Sequence, residues 1–324
     1  MSHGTLKKYV WLVAMLCAVG AQPAWPQAFP VKPVRLIVPS PPGGGSDTLS
    51  RLLAQKMTES LGQAVIVENR AGADGIVGSE WVARAAPDGY TILVGNATAQ
   101  VANIYLRKSL SYDPVKDFAP IAGGVESITC IVVNPSLPIH SVAELVDYAK
   151  KNPGKLTYGS SGAGGAYHMS GEALKAITGT DIVHVPYKGL APALTGMISG
   201  QISAVITSVT VALPQVNAGK ARILAFLEER RYPKLPEIPL VRETIPAFRG
   251  STIWNGFFAP AGTPPPLINR LNAEFVKALN SADIANKMDA TQIIGGSPEQ
   301  FSAYWKGQIE LFAQLARLLG ITPQ

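Results

Sequence analysis

The chain has 324 residues, 47% of them apolar and 15% charged, and a formal net charge of +6. That length and apolar content support a well-buried core, with two domains as the first expectation. The positive balance is mild and forms no basic cluster interleaved with aromatics, which excludes a nucleic-acid partner.

At the N-terminus, Lys7 and Lys8 precede an apolar run from Val10 to Val19, followed by small residues and prolines. A membrane-spanning helix needs about 20 apolar residues, so this run is too short to be one. Residues 1–28 therefore read as a secretory signal peptide, cleaved after Ala21 or after Ala28, and the protein is expected to be exported. Cys17 lacks the small residue before it that a lipoprotein signal wants. Cys130 is then the sole thiol of the mature chain. It sits in the apolar run Ile128–Val133 and is expected to be a buried small hydrophobe.

Strand-like and helical patterns alternate from there on. Val34–Val38 reads as a strand and Ser46–Leu61 as a helix with Leu49, Leu52, Leu53 and Met57 on one face. Ala64–Glu68 (strand), Gly75–Ala86 (helix) and Tyr90–Val94 (strand) follow. Short apolar strands separated by helices predict parallel βαβ units. After irregular sequence from Asn103 to Pro120, Ile121–Val133 reads as one long extended segment. A second α/β unit follows, with helices at Ser141–Lys151, Ala166–Thr178, Ala191–Ser199 and Val211–Ala218. Its strands are Leu156–Gly159, Ile182–Pro186, Ile202–Thr207 and Arg222–Phe226. Ser141 with Glu144 predicts a capping box. A Pro-rich crossing, a strand at Ile253–Ala259 and three helices starting near Pro264, Ser281 and Pro298 complete the chain. The pattern gives an α/β protein of two lobes: residues 29–122 with 251–324, and residues 123–250.

Two loops stand out, each between a strand and a helix. The first is Pro39-Ser40-Pro41-Pro42-Gly43-Gly44-Gly45-Ser46-Asp47. The second is Gly159-Ser160-Ser161-Gly162-Ala163-Gly164-Gly165. Such loops aim backbone N–H groups and the positive end of a helix dipole at one point, an anion site that needs no Arg or Lys. Two of them, on two lobes, describe a clamp. Asp47 reads as a helix-start residue rather than an acid catalyst, because a catalytic carboxylate would repel the anion that the loop attracts.

These loops, together with Pro33–Pro39, Val67-Glu68-Asn69-Arg70, Pro87-Asp88-Gly89-Tyr90-Thr91, Tyr112-Asp113-Pro114, Val185-Pro186-Tyr187-Lys188-Gly189, Gly219-Lys220 and Ala259–Pro264, resemble the Bug family of periplasmic solute receptors. The resemblance runs over nearly the whole mature chain. It implies the type II periplasmic-binding-protein fold, with two lobes closing like a flytrap over a small organic carboxylate. It also implies membrane permease subunits of a tripartite tricarboxylate transporter as partners, and the receptor is expected to be a monomer without a cofactor. Carried over residue by residue, the resemblance nominates Ser40, Pro41, Pro42, Gly43, Gly44, Gly45 and Asp47 on one lobe. On the other it nominates Ser160, Ser161, Gly162, Ala163, Gly164 and Ala166. Asn96, Thr98, Thr207 and Ser208 follow strands at positions that line the family's cleft. Ser40, where the family often has an aromatic residue, and Ser203, where it often has Asp, depart from the pattern.

Catalytic readings fail on pattern. Gly159-Ser160-Ser161-Gly162-Ala163 breaks the nucleophile elbow, Gly154-Lys155-Leu156 is no phosphate loop, and His140, His168 and His184 are isolated without metal-ligand spacing. A sensory receptor with a membrane signalling partner, and a secreted α/β hydrolase, are the alternative functions.

Overall fold

The computed structural model describes residues 29–163, 165–288 and 291–323. In chain order its elements begin with β1 (Val34–Val38), α1 (Gly45–Leu61), β2 (Val65–Asn69), α2 (Ile76–Ala83) and β3 (Thr91–Asn96). A π turn at Thr98–Ala102 leads into α3 (Asn103–Leu106), then β4 (Phe118–Ser127) and β5 (Thr129–Val133). The next stretch holds α4 (Val142–Lys151), β6 (Thr157–Ser160), α5 (Ala166–Thr178), β7 (Val183–Pro186) and α6 (Leu190–Ile198). It continues with β8 (Ala204–Ser208), α7 (Val209–Asn217), β9 (Arg222–Phe226) and α8 (Val241–Thr244). Last come β10 (Ile253–Pro260), α9 (Pro265–Leu279), α10 (Ala282–Lys287), β11 (Thr291–Gly295) and α11 (Pro298–Leu318).

Among the described residues the strands form a six-stranded sheet, β11-β4-β10-β3-β1-β2, and a five-stranded sheet, β7-β6-β8-β5-β9. Within each sheet the βαβ units are parallel, as the alternation predicts: β1 with β2 and β3, and β6 with β7 and β8. The strands that arrive across the sheet boundary are antiparallel. β10 opposes β3 and β4, and β5 opposes β8 and β9.

The expected long strand Ile121–Val133 is two strands in two sheets. Ser127 pairs with Ile253 and Thr291, Thr129 pairs with Ser208, and the fully buried Ile128 between them makes the passage. One backbone cannot hydrogen-bond into two sheets, so the chain breaks its pairing where it crosses. The second passage runs from Leu227 to Thr252. Helix ends follow their caps. Ser141 Oγ accepts from Glu144 N–H at 3.1 Å, but the Glu144 carboxylate reaches His140 N–H at 2.6 Å rather than closing the expected box. Ser297 and Gln300 do form a complete box at the start of α11.

The six-stranded sheet is covered on one face by α1 and α9, through Leu49, Leu53, Met57, Phe257, Leu271 and Phe275. Its other face carries Leu93, Trp254, Phe258, Phe301 and Trp305, in a core that continues into Ile131, Leu145, Met169 and Ile206 of the second sheet. Cys130 is a buried free thiol, as its run predicts. No helix of the described residues is long and apolar enough to cross a membrane.

Candidate functional site: glycine loops at the strand ends

β1 and β3 in one sheet, and β6 and β8 in the other, end in the loops that the sequence singles out. After β1 the chain turns through Gly43, whose φ of 85° excludes most side chains. The loop is braced from below by Asp47, only 3% exposed. One oxygen of Asp47 accepts from Gly43 N–H at 2.9 Å and Arg51 Nε at 3.0 Å; the other accepts from Asn69 Nδ2 at 3.0 Å. Asn69 also donates to Ser40 O at 3.1 Å. The Arg51 bond, then the N–H donors of Gly43 and Asn69, hold the Asp47 carboxyl down at about 2 against its burial. Asp47 is thus a strut, as its helix-start reading predicts, and the loop it fixes is left open: Pro41, Pro42, Gly43, Gly44 and Gly45 are exposed. No side chain caps α1 at Gly44, and the N–H groups of a first helical turn have no partner within the helix.

Asn96, at the end of β3, accepts from Ala99 N–H at 2.9 Å and so starts the π turn. Opposite Asn96, Asn255 donates to Ser46 Oγ at 2.8 Å and ties the first loop to β10.

In the second sheet β6 ends at Ser160, fully buried. Its Oγ accepts from Gly162 N–H at 3.2 Å and lies 2.8 Å from both Gly162 O and His184 Nε2. The loop continues through Gly162 at φ 147° to exposed Ala163 and Gly165, where α5 begins without a side-chain cap. Gly164 lies outside the described residues. Thr207 is fully buried with an unpartnered hydroxyl, and Ser208 is the N-cap of α7.

The isolation of the histidines is a sequence illusion. His184 on β7 and His168 on α5 have ring centroids 4.1 Å apart, and Tyr158 stacks 4.8 Å from His184. Register brings them together, since Tyr158 pairs with His184, and linear spacing carries no trace of that. Burial, then the neighbouring His168, pushes His184 down to about 4, so it is neutral at pH 7. The Ser160–His184 contact is not a nucleophile pair open to substrate, because the hydroxyl is sealed off and engaged with Gly162. It secures the loop. No cluster of three or more His, Cys, Asp or Glu among the described residues is arranged to hold a metal.

Between the sheets lies a cavity of about 260 Å³. Of the nominated residues, Thr98, Ala163 and Ala166 line it, joined by Ser251 and Thr252 of the second crossing and by Trp254 and Gln308. The other described nominees sit off this wall. Sequence reading missed Trp254 and Gln308 because β10 and α11 present only core-like apolar patterns.

Two sheets with ligand-type loops at their strand ends, joined by two crossings and with a cavity between them, define a two-lobed solute-binding receptor. Residues 49–299 match the model of the tripartite tricarboxylate transporter family receptor, and the chain belongs to that family. It is 37% identical over 292 residues to a UPF0065 protein from the tcbD-tcbE intergenic region of Pseudomonas sp. (strain P51), covering 89% of this chain and 86% of that one. Protein BugT of Bordetella pertussis is 33% identical over 305 residues, with 93% of each chain covered. Among solved structures, R. palustris Rpa4515 with adipate superposes at TM-score 0.76 with 33% identity, over 91% of this chain and 100% of that one. MatC from Rhodopseudomonas palustris with bound malate gives TM-score 0.70 at 30% identity, over 90% and 100%. The family is one of receptors, not enzymes.

Proposed function

We propose that the protein captures a small organic carboxylate between its lobes and presents it to the permease of a tripartite tricarboxylate transporter. In this reading the two sheets are the two lobes, with the first boundary at Ile128 rather than after residue 122 because β4 carries residues 123–127 into the six-stranded sheet, and residues 1–28 direct export. One observation carries it. Two uncapped helix N-termini follow glycine loops at strand ends of the two sheets, and the described cavity wall, which the second loop reaches with Ala163 and Gly165, includes neither Lys nor Arg, its Asp74 being paired with Arg107. Oriented amides hold a carboxylate by desolvated hydrogen bonds, those of α5 from the cavity wall and those of α1 as the lobes close, and ligand bound to both loops shifts an open–closed equilibrium toward closure. The adipate and malate of the two solved relatives are both carboxylates.

A thermal-shift panel of mono-, di- and tricarboxylates tests it. A true ligand at 100 times its Kd adds about 2.7 kcal/mol to stability by mass action. Gly44→Val and Ser161→Val should abolish that shift while keeping the ligand-free melting point. A Cβ at Gly44 meets nothing closer than Pro41 O at 3.8 Å. A flat response across the whole panel would sink the proposal.

A further inference from the structure

The segment Gly72-Ala73-Asp74-Gly75, between β2 and α2, runs at positive φ throughout: 145°, 45°, 54° and 89° in turn. Ala73 and Asp74 are the only non-glycine residues of the described chain with positive φ. A Cβ disfavours that backbone, and two such residues in succession persist only where their surroundings hold them. The hold comes from α3 and its C-cap. Asn103, 1% exposed, donates from Nδ2 to Asp74 O at 3.2 Å, and one turn further on Arg107 pairs with the Asp74 carboxylate. That ion pair is half-exposed and worth little alone. Together with the Asn103 bond it grips Asp74 by both carbonyl and side chain. Beyond Asp74 the turn acts as a wedge. A Cβ at Gly75 would come within 2.9 Å of Ala99 Cβ and 3.4 Å of Pro39 Cβ, so Gly75 fits between the two. A Cβ at Gly78, in the first turn of α2, would lie 2.9 Å from Pro39 Cβ. Pro39 is the root of the first glycine loop, and Ala99 belongs to the π turn beside Thr98. Asp74, Thr98 and Asn103 all line the cavity, whereas Pro41 to Gly45 do not. The wedge gives the loop a packed connection to the cavity wall.

We infer that Asp74 and Arg107 are positioning residues for ligand capture: their pair holds the strained turn against Pro39 and Ala99 and so fixes the first glycine loop relative to the cavity wall. The inference rests on the receptor reading above and names residues of the same site that lie outside both glycine loops. A loop already set in place costs less to order when ligand arrives. With Arg107 removed, Ala73 and Asp74 relax toward negative φ, and Gly75 withdraws from between Ala99 and Pro39. The first loop then loses its setting while the cores of both sheets stay intact.

Backbone amide spectra of the ligand-free full chain test this without any ligand. In Arg107→Ala the Gly43, Gly44 and Gly45 signals should shift or broaden, although Arg107 bonds to Asp74 and not to the loop. Gly179, Gly200 and Gly219, at the ends of α5, α6 and α7, should keep theirs. Arg107→Lys, which keeps the charge, should restore the parent pattern. Calorimetric titration with adipate and with malate should follow the same order, Arg107→Ala weakened by about threefold or more and Arg107→Lys close to the parent. Ala73→Gly keeps the turn and removes its strain, so it should melt about 2 °C higher. Loop signals unmoved in a folded Arg107→Ala would overturn the inference, as would signals that move equally around both sheets. A lower melting point for Ala73→Gly would overturn it too, because a relaxed turn needs no Arg107 to hold it. If the parent chain binds no carboxylate the receptor reading fails, and the spectra still decide for or against the wedge.

Discussion

Glu228 stands where the second crossing leaves β9, 6% exposed. One of its oxygens accepts from Thr129 N–H and the other has no partner. Burial, reinforced by nearby Glu126, pushes its carboxyl up to about 8; burial, and then Glu229, raise Glu126 to about 7. Both groups therefore hold protons in the folded chain that the unfolded chain, with carboxyls near their ordinary values, releases. The stability these two groups contribute is fully present below the unfolded value of about 4.5 and is lost as pH rises through 7 and 8. Glu228→Gln keeps the shape and the acceptor for Thr129 while removing the charge. It should raise the urea midpoint at pH 8.5 by an amount worth about 2 kcal/mol, with little change at pH 4.5. An equal effect at both pH values would show that the carboxyl does not titrate as described. Asp47 is the opposite case, a carboxylate held ionised by Arg51, and its work is local. Asp47→Ala should cost about 1–2 kcal/mol and weaken ligand binding, although Asp47 is not on the cavity wall. Unchanged affinity in a folded Asp47→Ala would remove the strut from the binding machinery.

Elements with strong local signals were legible: the run Val34–Val38, the amphipathic helix after it, and the glycine loops all lie where periodicity and turn chemistry put them. What escaped depends on distant pairing. Among the described residues β11 (Thr291–Gly295) pairs only with β4, 164 residues away at Ser127↔Thr291, and so short a segment between two helices shows no period of its own. The π turn at Thr98–Ala102 follows from Asn96 capping Ala99, not from composition. The site was half legible. Loops announce themselves through glycine, whereas the floor of the cavity, built by β10 and α11, looks like ordinary core. Register also hides a trough: Gly95, Gly256 and Gly123 pair in one row across β3, β10 and β4. A Cβ at Gly256 would run into the ring of Phe301, so the glycine lets α11 seat against the sheet. Gly256→Ala should cost about 1–3 kcal/mol by overpacking, read as a lower urea midpoint. A midpoint equal to the parent's would show that Phe301 moves aside freely.

At the scale of the molecule, two sheets joined by two crossings invite the expectation of two independent folding units. The packing contradicts it. The core that holds Leu93 and Phe258 of the first sheet is continuous with Ile131 and Ile206 of the second, and α11 packs on both β4 and α5. Ser251 N–H, on the crossing, donates to Ser170 Oγ of α5 at 3.0 Å, and Trp305 Nε1 donates to Gln100 O at 3.2 Å. Neither sheet can lose its helices without opening apolar surface in the other, so unfolding should be cooperative across both. Calorimetry of the ligand-free chain should then give one transition, with calorimetric and van't Hoff enthalpies equal. If the proposed function holds, a carboxylate that bridges both lobes should move that transition upward as a whole. Two resolved transitions, of which ligand shifts only one, would show that the shared core does not couple the sheets. The loops would then close on their ligand as separate bodies, rather than as two jaws set on one continuous core.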